Sequence, residues 1–298
     1  MKRFVITLLL LVASHASLAK LQVLSCEPEW AALAREIGGS EVEVFSATTA
    51  LQDPHTIQAR PSLIAQARQA NLLLCTGAGL EAGWLPLLLK KSANPKIQEG
   101  ASGFFMASSH VNLLDRGGAA DRSRGDVHPG GNPHIQANPA NMLAVADALL
   151  PVMVQLQPQS RESFTANHAQ FRQKLLSMLE RLGPEAAKVK GRKIVVHHDN
   201  WAYLNRWLGL VQVATLEPKP GVPPTTGHLA SLSTRLVAEP ADLILYATYQ
   251  DGKAAGWLAA KSGIPAMGIP ATVSDWQAPD ALVSWYEAML RSLAGAVK

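Results

Sequence analysis

Charge and cysteine are both scarce in this chain. Only 17% of its 298 residues are Asp, Glu, Lys or Arg, while 48% are hydrophobic. That balance excludes a disordered polyelectrolyte, which could not bury enough apolar surface to fold. Two cysteines are too few for a disulfide scaffold, and the 22 glycines and 19 prolines show no collagen period. The net charge is +4, and there is no run of five basic residues. Nucleic acid is therefore not expected as a partner. His-Glu-x-x-His and Gly-x-Ser-x-Gly are both absent, which removes two common signatures of hydrolases. What remains is a long, apolar, globular chain with material for one large or two medium domains.

The N-terminus reads as a targeting segment. Lys2 and Arg3 precede the apolar stretch Phe4 to Ala13, and Ser17-Leu18-Ala19 supplies small residues at a cleavage site. Ten apolar residues are too few to span a bilayer. A signal peptide over 1–19 is expected, giving an exported, periplasmic product. Losing Lys2 and Arg3 would lower the net charge from +4 to +2. No later stretch reads as long and apolar enough to cross a membrane.

Beyond it, short apolar runs alternate with helical patterns. Strands are predicted at 21–25, 42–46, 71–75 and 102–107, with a helix from Trp30 to Ile37 closed by Gly38-Gly39. Another helix opens at Pro61-Ser62. The pattern is βαβα with a parallel sheet. From 139 to 190 the spacing turns helical, broken near 157–160. Phe164, His168, Phe171, Leu175, Met178 and Leu182 recur every three or four residues. A helix of about 25 residues would run roughly 38 Å and could join two lobes. Strands are predicted again at 193–197, 210–216, 243–248 and 266–270, and a last helix at 281–295. The fold class is thus α/β: two lobes, each with a parallel sheet of about four strands, joined by one long connector helix. The expected boundaries are 20–138, 139–190 and 191–298. Residues 108–133 read as a long loop.

Cys26 and Cys75 each end a strand-like run. If those strands are parallel neighbours, the thiols could bridge; otherwise both are buried free thiols. The sequence leaves both open.

The histidines are placed where strand-end loops would put them. His55 lies in Asp53-Pro54-His55-Thr56, His134 in Asn132-Pro133-His134, and His197-His198 close the first strand of the second lobe. Asp275 follows the last strand. Ligands of open parallel sheets bind beyond the C-terminal strand ends, so these residues could converge across an interlobe cleft. Three imidazoles and one carboxylate suit a first-row divalent metal. Proline beside a histidine stiffens the turn that holds it. His197 and His198 cannot both point the same way on a strand, and His198 is the expected ligand.

Taken together, the motifs resemble the metal-specific solute-binding proteins of ABC transporters, the zinc and manganese cluster. Ala31 to Gly39 with Val42-Glu43-Val44 matches the opening helix and second strand. Asp53-Pro54-His55-Thr56 with Arg60-Pro61-Ser62 matches the first ligand motif. Gly79-Leu80-Glu81 with Gly83-Trp84-Leu85 matches a signature after the third strand. Asn132-Pro133-His134, His198-Asp199-Asn200-Trp201-Ala202-Tyr203-Leu204 and Ser274-Asp275 match the remaining ligand positions. The resemblance implies metal ligands His55, His134, His198 and Asp275. It also implies a cargo of Zn²⁺, with Mn²⁺ or Fe²⁺ as alternatives, and delivery to an integral-membrane ABC permease. A monomer that is not an enzyme is expected. The different-class alternative is a secreted zinc metallohydrolase with Glu81 or Asp199 as base. An adhesin or metal scavenger would use the same site.

The chain departs from the family where Ile135-Gln136-Ala137-Asn138-Pro139 replaces the usual aromatic and Asp-Pro after the second ligand. The loop before His134 carries only His110 and His128, with Asp115, Asp121 and Asp126. Asp280 is the alternative to Asp275. His228 reads as a helix-start residue and His168 as structural. Asp53 and Asp199 could orient a ligand imidazole through its other ring nitrogen.

Overall fold

The computed structural model describes residues 19–117 and 128–297. The expected leader over 1–19, apart from Ala19, and the loop residues Asp121 and Asp126 lie outside them.

The first lobe runs β1 (Leu21–Ser25), α1 (Pro28–Gly38), β2 (Val42–Ser46), α2 (Pro61–Gln69), β3 (Leu72–Cys75), α3 (Leu85–Ser92) and β4 (Phe104–Met106). Three helices follow: α4 (Pro139–Leu156), α5 (Arg161–Arg181) and α6 (Gly183–Val189). The second lobe runs β5 (Lys193–Val196), α7 (Ala202–Leu208), β6 (Val211–Thr215), α8 (Thr226–Ala238), β7 (Leu243–Ala247), α9 (Lys253–Ser262), β8 (Ala266–Ile269) and α10 (Ala281–Ala296). Proline at the first helical turn starts α1, α2, α3 and α4, where its missing N–H costs nothing.

Each lobe has a four-stranded, all-parallel sheet, in the orders β2-β1-β3-β4 and β6-β5-β7-β8. The strand order reverses beside β1 in one lobe and beside β5 in the other. Such switch points open the crevices where doubly wound sheets bind ligands. The central strands Leu72–Cys75 and Leu243–Ala247 are almost wholly apolar, as strands covered on both faces must be.

Alternation along the strands divides the core. Leu72, Leu74, Ile194, Val196, Leu243 and Leu245 face one large cluster that also takes in α4, α5 and α10. Leu24, Leu73, Cys26 and Cys75 face the outer layer of the first lobe, and Val195 and Ile244 that of the second. The two lobes therefore share a continuous apolar core. The expected long connector helix is α5, 21 residues long, and it is also packed on α1, α4 and α10 as part of that core. Wide hinge opening would expose this surface to water.

The expectation of no later membrane-length stretch needs correction, since α4 has 18 residues at mean hydropathy 1.4. Met142, Val145, Ala146, Leu149 and Met153 are buried in the shared core, which accounts for their apolar character. Asn138 takes the place of the family's aspartate there: its side chain accepts from Ala140 N at 2.9 Å and caps α4. The bond between Cys26 and Cys75 forms, with Cα atoms 4.8 Å apart, because β1 and β3 are parallel neighbours.

Candidate metal centre

His55 sits on a short turn after β2. Asp53 Oδ1 accepts from His55 N at 3.0 Å and lies 2.7 Å from His55 Nδ1. Trp84 donates its indole N–H to Pro54 O at 2.9 Å, and a Cβ on Gly83 would come within 3.0 Å of His55 O. The Gly83-Trp84 pair thus clamps the turn from behind.

His134 arrives from the stretch after β4. Asn132 Oδ1 accepts from His134 N at 3.0 Å, while Asn132 Nδ2 donates to Asp199 O at 2.9 Å across the lobes. Tyr203 donates to Asn132 O at 2.8 Å and accepts from Leu114 N at 2.9 Å. The aromatic residue of the third motif therefore holds the second motif in place. His134 is 3% exposed, and its Nε2 is buried with no hydrogen-bond partner.

His198 lies just beyond β5. Its Nδ1 is 2.7 Å from Glu217 Oε2, and Gly221 N donates to the same oxygen at 2.9 Å. Glu217 follows β6, the neighbour of β5, so the sheet brings together residues 19 apart in sequence.

The three rings form a near-equilateral triangle, with centroids 5.4, 5.5 and 5.7 Å apart. Among the described residues, one donor atom from each of His55, His134 and His198 lies within 4.8 Å of the other two. Carboxylates occupy Nδ1 of His55 and His198, which leaves Nε2 of each for the centre. An orphaned buried nitrogen is costly unless something binds it. This donor set fits a borderline divalent metal, with the outer carboxylates fixing tautomer and orientation.

Asp275 is not brought to this triangle. It is exposed, and its Oδ1 accepts from Gln277 N at 3.0 Å in a tight turn. Asp280 pairs instead with Lys174. Asp199 Oδ1 accepts from Gln212, so the partner of His198 is Glu217, which the sequence did not suggest. His197 Nε2 stands 4.0 Å from Glu217 Oε1 and lines a cavity of about 600 Å³ beside the triangle, with Asp53, Tyr249 and Trp257. His228 bonds Thr215 O, His168 bonds Asp147, and His110 stacks on Phe105.

Electrostatics separates the imidazoles. Burial, and then the neighbouring histidines, hold His134 well below the usual imidazole range. Burial pushes His198 the same way, but the hydrogen bond and charge of Glu217 outweigh it and leave His198 raised. Burial would raise Asp53, yet its bonds to His55 leave its carboxyl lowered.

A buried acid trio lies at the switch point of the first sheet. Glu81 accepts from Thr76 N at 2.7 Å and Gly77 N at 3.0 Å, and Glu27 from Thr76 Oγ1 at 3.0 Å. Glu29 accepts from Thr272 of the second lobe. Burial pushes Glu29 and Glu81 up to about 7 and raises Glu27 as well. Between about pH 4.5 and 7 the folded chain therefore keeps protons that the unfolded chain has lost. Stability is fully present below that window and falls as pH rises through it. A carboxyl moved from about 4.5 to about 7, as in Glu29 and Glu81, contributes on the order of 3 kcal/mol. The metal-free melting temperature should accordingly fall from pH 5 to pH 8, and Glu29→Gln should flatten that slope. A melting temperature that rises over the same interval would contradict it.

Comparison with known proteins agrees with the fold. The family model of the zinc-uptake complex component A, periplasmic, matches residues 23–297. The high-affinity zinc uptake system protein ZnuA of Yersinia pestis is 25% identical over 209 residues, 63% of this chain and 63% of that protein's length. The iron ABC transporter substrate-binding lipoprotein MtsA of Streptococcus pyogenes serotype M1 is 22% identical over 256 residues, 83% of this chain and 78% of its own. The manganese ABC transporter substrate-binding lipoprotein PsaA of Streptococcus pneumoniae is 23% identical over 230 residues, 75% and 71% of the two chains. A crystal structure of ZnuA superposes at TM-score 0.77 and 24% identity, over 94% of this chain and 100% of that one. A mutant of the laminin-binding adhesin of Streptococcus agalactiae follows at TM-score 0.75 and 20% identity, over 93% and 100% of the chains. These relatives are substrate-binding proteins rather than enzymes, and their names span zinc, iron and manganese. With the family model covering nearly the whole chain from β1 to the end of α10, this protein belongs to the zinc-uptake complex component A family of metal-binding, ABC-transporter solute-binding proteins.

Proposed function

We propose that the chain captures Zn²⁺ in the periplasm through His55, His134 and His198 and hands it to a membrane ABC permease. The observation that carries this reading is the convergence of three imidazoles, two backed by carboxylates at 2.7 Å and the third ending in an unpartnered buried nitrogen. Imidazole-rich sites favour zinc, whereas manganese prefers more oxygen. The cargo reaches the site through the cavity lined by His197, Tyr249 and Trp257. The shared core limits motion between the lobes, so release to a permease works by loosening the loops that carry the histidines rather than by wide hinging.

Calorimetric titration of the mature, metal-stripped chain with Zn²⁺ and Mn²⁺ in parallel tests this. One tight zinc site per chain, preferred over manganese in competition, is expected. A manganese preference would keep the transport role and remove the zinc assignment.

The pH dependence follows from His198. Its raised pKa means that a metal must displace its proton over a higher pH range than for an ordinary imidazole. Zinc affinity should therefore weaken as pH falls from 7.5 to 5.5, by about tenfold or more. His134, held well below the usual imidazole range by burial, adds less to the slope. Isotherms recorded in buffers of different ionisation enthalpy would reveal the released proton. A flat profile would contradict the assignment of His198.

A further inference from the structure

A fourth imidazole stands at the rim of the triangle. His128 Nε2 lies 3.3 Å from His55 Nε2, and its ring centroid is 5.4 Å from that of His55 and 6.4 Å from that of His134. Zinc–nitrogen bonds of about 2.0–2.1 Å in a tetrahedron set donor nitrogens about 3.3 Å apart. The observed spacing of His55 and His128 matches that edge, although the donors that all lie within 4.8 Å of one another are those of His55, His134 and His198. To complete the tetrahedron the His128 ring must swing inward, toward His134 and His198. Two ring nitrogens at that distance share one proton. When the ion enters, that proton leaves the pair, and a neutral His128 takes the tautomer with its proton on Nδ1 and offers Nε2 as donor.

The surroundings hold this ring in position. Gly131 N donates to His128 O at 2.9 Å, closing a turn ahead of the Asn132-Pro133-His134 segment. On the other side the ring packs over Gly79, where a Cβ would lie 3.3 Å from His128 Nδ1. Gly79 has φ +90°, a conformation that L side chains rarely adopt, so a bare backbone there leaves room for the imidazole. Asp275, by contrast, is exposed and engaged by Gln277 N.

We propose that His128 is the fourth metal ligand, completing an all-imidazole tetrahedron with His55, His134 and His198, and that it determines selection of zinc over manganese. The proposal rests on the metal-capture reading above. It places three donors on the first-lobe side and one on the second. An all-nitrogen set disfavours manganese more strongly than three nitrogens with a carboxylate.

The test uses the full mature chain, its His128→Gln and Asp275→Asn variants, and His134→Ala as a site control. Each is titrated with Zn²⁺, with Mn²⁺, and with Co²⁺ as a spectroscopic probe of coordination geometry. His128→Gln should weaken zinc binding by about 100-fold, at least the loss that removing an outer partner causes. It should also shift the cobalt visible bands and narrow the zinc-over-manganese ratio. Asp275→Asn should change none of these. If His128→Gln binds zinc and cobalt like the parent while His134→Ala does not, His128 is not a ligand and the triad reading survives. If Asp275→Asn alone weakens binding, the fourth ligand is Asp275 and the proposal is overturned. Failure of the parent chain to bind any of the three ions would overturn this inference together with the function it rests on. Melting curves of the metal-free variants separate loss of a ligand from loss of fold.

Discussion

Replacing His134 with alanine should reduce zinc affinity by roughly three orders of magnitude, about 4 kcal/mol. The other two imidazoles each have a carboxylate at Nδ1 and partial contact with the cavity. His134 has neither: its Nε2 is enclosed by protein and left without a partner. Its backbone is fixed by Asn132, which is in turn held by Tyr203 and by Asp199 of the other lobe. A neighbouring side chain therefore has little scope to replace the lost donor. Glu217→Gln should cost less, about 10–100-fold, because it removes an orienting partner and leaves the donor in place. Stability should respond differently from affinity. Alanine at 134 removes an unsatisfied buried nitrogen as well as packing, and these oppose each other. The metal-free melting temperature of His134→Ala should thus stay within a few degrees of the parent, since about 1 kcal/mol moves a chain of this size by only about 2–4 °C. Retained affinity in His134→Ala would remove the central residue of the site.

Removing the disulfide should have the opposite profile, a large loss of stability with little change in metal binding. The bond joins residues separated by 49 positions. Closing a loop of that length restricts the unfolded chain by about 4 kcal/mol in the chain-entropy account. Both cysteines are fully buried in the outer layer of the first lobe. The double substitution Cys26→Ser, Cys75→Ser therefore also buries two hydroxyls. The staple ties the ends of β1 and β3, next to Glu27 and Thr76, and none of the three triad histidines follows directly from it. Zinc affinity should stay within about threefold, less than 1 kcal/mol. Denaturant unfolding with parallel zinc titration measures both. A stability change below about 1 kcal/mol would show that the unfolded chain is already restricted without the bond.

Much of this molecule was legible in the sequence, because what it encodes there is local. The run at 243–248 was recognisable since a central parallel strand covered on both faces must be apolar throughout, and those at 21–25, 42–46 and 266–270 because each is a short apolar-rich run between helical patterns. The observed strands Leu21–Ser25, Val42–Ser46, Leu243–Ala247 and Ala266–Ile269 lie within those ranges. The break at 157–160 was visible because Pro158 and its polar neighbours interrupt the helical spacing. His55 and His134 could be singled out because each follows a proline on a strand-end turn, which the chain encodes within four residues.

Tertiary structure alone decided what depends on which strand lies beside which. Glu217 could not be matched to His198 from sequence, since only the adjacency of β5 and β6 places them 2.7 Å apart. The choice between bridged and free cysteines needed the pairing of β1 with β3. The loop after β8 turns Asp275 outward and sets its carboxylate on Gln277 N, while the turn ending in Gly131 brings His128 against His55. Helix α5, the long connector between the lobes, is also part of a core they share because α1 and α10 pack against it. The physical reason is the same in each case. Periodicity and turn chemistry act over a few residues, whereas side-chain partnership is set by sheet order and loop path, which bring distant positions within hydrogen-bond reach.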